Sequence, residues 1–220
     1  MLHAALDTSI GSSFAVADGP TVLFNTHLQV PARDSDRELA PWVIRQLAEH
    51  HWRLADIRRW TVGTGPGSFA GLRFGIAFLK GITAVTGADL RGVPSCQALA
   101  NVAAEHAPGA DRIGVLHDAR CGQVILTIYE RKAGATLDLL AEPAIFLPAQ
   151  LLLPEHACDI WTTAQPELLP DLPARVAKAT FVQPYPDASR LLQALGGDAD
   201  CEPIYVRPPV FVSPQPVRPS

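Results

Sequence analysis

Charge is sparse in this 220-residue chain: Lys and Arg number 18, Asp and Glu 22, and the net charge is −4. A chain that grips a nucleic-acid backbone alone carries a basic patch or stripe. No such run is present, so any contact with nucleic acid is expected to go through another protein. Cysteine is scarce as well. Cys96, Cys121, Cys158 and Cys201 form no C-x-x-C pair, and their wide spacing reads as reduced thiols in a cytoplasmic protein. The seven histidines include no H-x-x-x-H spacing, and adjacent His50 and His51 would point in different directions on a helix, so no metal site is expected. No apolar run approaches the ~18 residues of a membrane span. Met1-Leu2-His3-Ala4-Ala5-Leu6-Asp7 lacks the basic start, apolar stretch and small-residue site of a secretory signal. There is no Gly-Lys-Ser/Thr phosphate loop and no G-x-S-x-G elbow. With no acid–base set to replace them, no catalytic residue is assigned. What is abundant is apolar residue, 48% of the chain, enough for the core of one large domain or two small ones.

Three early strands are expected, Leu2 to Leu6, Ser13 to Ala17 and Thr21 to Val30, with Asp18-Gly19-Pro20 as a turn. A helix follows. Ser35 and Glu38 match a capping box, and Leu39, Val43 and Leu47 form an apolar stripe. Pro41 either bends this helix or marks its first turn. Next come a strand from Arg59 to Gly63, a helix from Phe69 to Thr86, a strand from Leu90 to Val93 and a helix from Ser95 to about His106. After Pro108-Gly109 the pattern begins again. Ile113 to His117 leads to Asp118 and Gly122 as Leu2 to Leu6 leads to Asp7 and Gly11, at a constant offset of 111 residues. The expected organisation is an N-terminal lobe over 1–108, a C-terminal lobe over 109–207 and a Pro-rich tail over 208–220. Val124 to Tyr129 and Asp159 to Thr162 read as strands, and Ala188 to Leu195 as a helix. The prolines from Pro203 onward predict an extended or disordered end. Strands alternating with helices after a meander predict an α/β fold with a mixed sheet flanked by helices.

The most specific segment is Gly63-Thr64-Gly65-Pro66-Gly67-Ser68-Phe69-Ala70-Gly71-Leu72-Arg73, between a strand and a helix. Glycines there permit positive φ and close approach of backbone, and amides at a helix start favour an anion. Gly65, Gly67 and Ser68, with Asp7, Thr8 and Ser9 at the end of the first strand, are therefore candidate phosphate or turn residues. Gly65 to Ala70 fits G-x-G-x-x-A formally. A dinucleotide site also wants an acidic residue after the next strand, ~20 residues on, and Asp89 lies before that strand. In the helix that follows, Leu72, Ile76 and Leu79 form an apolar row, while Arg73 and Lys80 are its charged residues. Gly71 and Gly75, four apart, would admit a second helix. Gly71, Leu72, Arg73, Gly75, Ile76, Leu79 and Lys80 are read as a docking surface for another chain.

These segments resemble the TsaB family. The similarity rests on Ala5-Leu6-Asp7-Thr8-Ser9, on the Gly63–Arg73 segment, on Lys80-Gly81 with Gly92-Val93-Pro94-Ser95, on Asp118-Ala119-Arg120-x-Gly122, and on Glu202-Pro203-Ile204-Tyr205-Val206-Arg207. They are collinear and span nearly the whole chain. The chain departs from the family's pattern at Asp34-Ser35, Thr64, Ala70 and Gln123. The resemblance implies an actin-like (ribonuclease H-like) fold of two lobes with duplicated mixed sheets. It implies a non-catalytic scaffold acting with TsaD-like and TsaE-like proteins. That machinery transfers a threonylcarbamoyl group to the adenosine beside the anticodon of tRNA. By the same resemblance ATP and metal belong to the partner subunits, with no cofactor here. The chain would be a homodimer when alone, would meet tRNA only through the complex, and would not meet a membrane. The alternative is an actin-like ATPase or small-molecule kinase.

Overall fold

The computed structural model describes residues 1–30, 34–132, 136–194 and 197–207; the Pro-rich tail lies outside the described residues. The first sheet holds β1 (Leu2–Asp7), β2 (Ser13–Asp18), β3 (Thr21–His27), β4 (Ile57–Gly63) and β5 (Asp89–Val93), in the order β3-β2-β1-β4-β5. The second holds β6 (Arg112–Arg120), β7 (Gln123–Arg131), β8 (Leu137–Phe146), β9 (Ile160–Thr163) and β10 (Thr180–Val182), in the order β10-β9-β6-β7-β8. Each sheet has an antiparallel meander on one side of its central strand and two parallel additions on the other. The two orders are the same order, with β1 equivalent to β6. The repeat reaches atomic detail. Asp7 Oδ1 accepts from the Ser9 amide at 2.8 Å, and Asp118 Oδ1 accepts from the Arg120 amide at 2.7 Å. Gly11 and Gly122 both sit in the left-handed region, at φ 70° and 68°, where glycine carries no Cβ penalty. This is the duplicated actin-like fold.

The helices are α1 (Ser35–Glu49), α2 (Phe69–Thr86), α3 (Ser95–His106), α4 (Ala174–Lys178) and α5 (Ala188–Gln193). Strand alternation decides what each sheet face packs against. On one face of the first sheet Leu6, Phe14, Val16, Trp60 and Val62 meet Leu39, Trp42 and Val43 of α1 and Ile76 and Leu79 of α2. Phe14 stacks on Trp60 at a centroid distance of 6.1 Å. The other face carries the small residues Ala5 and Ala15, which leave room for Ala188 and Leu191 of α5. In the second sheet Ile113, Val115, Tyr129 and Ile160 receive Cys96, Leu99, Ala100 and Ala103 of α3. All strands of the first sheet precede residue 108 and all strands of the second follow it, yet two helices are exchanged. Helix α3 of the first half covers the second sheet, and α5 of the second half covers the first.

Several local expectations shift. The third strand ends at His27, short of Val30. Helix α1 begins at Ser35 with Asp34 as its N-cap residue and without a side-chain cap bond, so Ser35 and Glu38 form no capping box. Pro41 lies inside the helix, past its first turn. Strand β8 is an edge strand that carries Pro143, a residue tolerated at an edge because its missing N–H costs no ladder bond there.

Candidate functional site

The first-strand turn and α2 are built against each other. Thr8 Oγ1 donates to the Gly71 carbonyl at 2.8 Å, and the Ser68 amide donates to the Ser9 carbonyl at 2.7 Å. Ser68 Oγ accepts from the Gly71 amide at 3.2 Å, which caps α2. Four glycines at a spacing of four residues make this approach possible. A Cβ on Gly63 would stand 1.9 Å from Asp7 Oδ2, one on Gly67 2.5 Å from the Ser9 carbonyl oxygen, one on Gly71 2.3 Å from the Thr8 carbonyl oxygen, and one on Gly75 2.4 Å from Thr8 Oγ1. Gly65 is required for another reason, its φ of 101°.

The candidate phosphate residues are thus engaged within the chain. Asp7 is 1% exposed, and its Oδ1 also accepts from the Ser9 hydroxyl at 2.6 Å. Burial pushes the Asp7 carboxyl above its ordinary value, opposed by the hydrogen bonds from Ser9, and Asp7 Oδ2 has no hydrogen-bond partner among the described residues. Thr8 and Ser9 are buried, while Gly67 and Ser68 are exposed and tied to the turn through the contacts above. What these residues build is a closed turn.

The docking reading of α2 needs correction. Leu72, Ile76 and Leu79 are 0%, 5% and 0% exposed, and Gly75 is buried against Thr8. Ile76 and Leu79 belong to the first-sheet core, so this row is not offered to another chain. Gly71 is half-buried. Of the seven residues, Arg73 and Lys80 are the exposed ones, and they share the outward face with Phe69, Ala70, Ala77, Gly81, Ala84 and Val85. The signal for that face was present as a second helical row offset from Leu72, Ile76 and Leu79. Helix α2 is long and apolar enough by composition to cross a membrane, but its large apolar row is the one packed on the sheet. Gly81 has open space around its Cβ position. Gly81→Ala is therefore expected to raise stability by about 0.5–1 kcal/mol through helix propensity alone, read as a shift in urea midpoint; a lowered midpoint would show that this site is not open.

The sequence reading missed the role of the segment from Cys201 to Arg207 as a strap. It leaves the bridge between Gly92 and Asp198, donates the Ile204 amide to the Thr64 carbonyl at 2.8 Å, and ends with Arg207 Nη2 donating to Gln123 Oε1 at 2.5 Å. On the way Tyr205 accepts from Arg73 Nε at 2.8 Å, and the Arg73 guanidinium lies 3.9 Å above the Phe69 ring. Under the strap lies a cleft of about 950 Å³ between the Ser9–Ser12 turn, the start of α2 and the His117–Arg120 turn. Arg120 pairs with Asp118 at 3.0 Å, and Gln165 Oε1 accepts from the Asp118 amide at 2.9 Å. His117 borders this cleft yet is 1% exposed, and neither ring nitrogen has a hydrogen-bond partner among the described residues. Burial lowers its pKa to about 4. Among the described residues no three His, Cys, Asp or Glu side chains gather as metal ligands.

Comparison with known proteins adds the family. The family model described as "TsaD: tRNA N6-adenosine threonylcarbamoyltransferase" matches residues 29–184. The tRNA threonylcarbamoyladenosine biosynthesis protein TsaB of Escherichia coli K12 is 32% identical over 128 residues, 58% of this chain and 54% of that protein. The match thus spans about half the length of that relative. The structure of YeaZ from Pseudomonas aeruginosa superposes with a TM-score of 0.73 at 25% identity, covering 93% of this chain and 99% of YeaZ. A second structure, titled as an uncharacterized protein with similarity to peptidase YEAZ from Pseudomonas aeruginosa, gives 0.72 at 25% identity over 94% and 99%.

Proposed function

The chain belongs to the TsaD family of tRNA N6-adenosine threonylcarbamoyltransferases and is TsaB/YeaZ-like within it, and on that premise we propose that it is a non-catalytic scaffold subunit of the threonylcarbamoyladenosine machinery. It works with a TsaD-like and a TsaE-like protein in transferring the threonylcarbamoyl group to the adenosine next to the anticodon. ATP and metal are held by those partners. The tRNA is met through the complex, in the cytoplasm, and the free chain forms a homodimer.

The observation that carries this reading is the outward face of α2. Ala70, Ala77, Gly81 and Ala84 are half of its exposed residues, with Arg73 and Lys80 as its two charges and Phe69 and Val85 at its ends. Small residues let a second helix come close, and two cations on one line can set its register. The kinase alternative is less well supported. It needs Asp7, Thr8 and Ser9 open to phosphate and metal, whereas all three are buried, and Thr8 Oγ1, Ser9 Oγ and Asp7 Oδ1 are bonded within the chain, with Asp7 Oδ2 unpartnered among the described residues but closed off from solvent.

The test is reconstitution of tRNA modification from purified chain, TsaD-like protein, TsaE-like protein, ATP and threonylcarbamoyl-adenylate. Modification is expected with all three proteins and none with this chain alone. Product from the chain alone would end the non-catalytic reading. Ala77→Glu places a bulky carboxylate between Arg73 and Lys80 on the outward face, filling the small-residue gap and drawing both cations to itself, without touching the core. Binding to the TsaD-like protein is expected to weaken at least roughly tenfold, or ~1.4 kcal/mol. An unchanged affinity would move the interface elsewhere.

A further inference from the structure

We propose that a second cavity, at the joint between the two exchanged helices, binds a small organic carboxylate through Arg131, Asn101 and Gln193.

The cavity lies where α3, α5 and β7 meet and has a volume of about 360 Å³. Its walls follow from how the helices are tied. Arg190 of α5 forms a two-pronged pair with Glu105 of α3, with Nη1 and Nη2 each 2.7 Å from one carboxylate oxygen. Arg131 closes α3 from the β7 side. Its Nε donates to the Ala110 carbonyl at 2.9 Å, and its Nη2 donates to the Ala104 carbonyl at 2.9 Å and the Ala107 carbonyl at 3.4 Å. A cation suits the negative end of a helix.

The donors left over define the ligand. A guanidinium is a planar fork with five N–H groups. Arg131 spends its Nε and Nη2 on carbonyls, and its Nη1 makes no hydrogen bond among the described residues. Gln193 Oε1 accepts from Arg190 Nη1 at 3.2 Å, which leaves the Gln193 Nε2 as a donor. Asn101 also lines the cavity and has no side-chain hydrogen bond among the described residues. Three elements thus present spare N–H groups to one space. The Glu105 carboxylate, on the same wall, is already neutralised by Arg190. Two arginines against one glutamate leave a net positive charge, which calls for an anion. A carboxylate matches a guanidinium edge with two parallel bonds. The other wall is Ala104, Pro108 and Leu137, which would receive a short carbon chain. Phosphate or sulfate would leave that wall unused.

The probe is propionate, titrated at neutral pH into the full nitrogen-labelled chain. Propionamide is the uncharged isostere and sodium chloride the ionic-strength control. Propionate is expected to shift the side-chain signals of Asn101, Gln193 and Arg131 Nε saturably, and neither control is expected to do so. Asn101→Leu and Gln193→Leu are each expected to weaken propionate roughly tenfold, as the loss of one hydrogen bond to a charged group. Arg131→Met is expected to abolish the shifts. It also uncaps α3, so the two amide variants, which leave that cap in place, decide the matter if it fails to fold. Shifts that do not saturate, that either control reproduces, or that survive both amide variants unchanged would overturn the proposal. Tighter binding of acetyl-alanyl-alanine than of propionate would make a peptide's end the ligand and would overturn the free acid.

Discussion

Gly75→Leu is expected to cost the folded chain about 3 kcal/mol, at the top of the range for overpacking a filled site. Gly75 looks like an interface residue, since it sits on a glycine pair four residues apart near two cations. In the structure its missing side chain points at Thr8. A Cβ there would lie 2.4 Å from Thr8 Oγ1 and 3.0 Å from Thr8 Cγ2. Thr8 cannot simply turn away, because its hydroxyl is bonded to the Gly71 carbonyl at 2.8 Å, beside the same helix. The helix must lift from β1, and Ile76 and Leu79 would lift with it. Gly75→Ala should cost less, because the gain in helix propensity, about 1 kcal/mol, offsets part of the clash. Thr8→Ala should then relieve most of the remainder, since the nearest surviving atom is the Thr8 Cβ at 3.3 Å. The double-mutant cycle is therefore expected to show a favourable coupling of about 1 kcal/mol. Urea unfolding of the four proteins measures it. If Gly75→Leu lies within about 0.5 kcal/mol of the parent, the close packing of α2 on Thr8 is wrong.

The second large effect is a loss of stability in mild acid through His117. In an unfolded chain an imidazole takes its proton near 6.5, whereas in the fold burial lowers that to about 4. Between those values the unfolded state binds a proton that the folded state refuses, so stability must fall as pH drops from about 6.5 toward 4. The full contribution is about 3 kcal/mol, of which about 2 kcal/mol is lost between pH 7 and pH 4.5. Asp7 acts in the opposite sense. Its carboxyl is raised by burial, so the folded state binds a proton the unfolded state has already released, and acidification relieves that cost. The comparison must therefore be made against His117→Leu, in which the Asp7 contribution is unchanged. Urea titrations at pH 7 and 4.5 should show the parent losing about 2 kcal/mol more than the variant. Equal losses would mean that His117 is protonated, or paired, in the folded chain.

Helix α2 is an example of what local sequence can settle. Its limits follow from chemistry at its own ends: Ser68 caps the start, and Gly87, at φ 70°, closes the end with its amide on the Thr83 carbonyl at 2.9 Å. The repeat of Asp7 with Gly11 and Asp118 with Gly122 was legible for the same reason, since each is a turn that closes over a few residues. Strand β8 was not. Leu137–Phe146 is leucine-rich, interrupted by Pro143, and becomes a strand because β7 offers it a ladder. The facing of Gly71 and Gly75 was equally out of reach, because the contact that uses them comes from Thr8, more than sixty residues away. The strap is a longer case, with Arg73 and Tyr205 brought together by the whole fold.

The exchange of α3 and α5 has a bearing on how the molecule comes into being. A ribosome releases the first half of this chain seconds before the second, at roughly 5–20 residues per second. By the time α3 has emerged, the first sheet has all five of its strands, but one face still lacks the cover that Ala188 and Leu191 will bring. Helix α3 meanwhile exposes Leu99, Ala100 and Ala103 with no second sheet to receive them. The second sheet can take α3 as soon as its own strands are made, through Val182, whereas the open face of the first sheet must wait for α5. Synthesis thus closes the later core before it completes the earlier one.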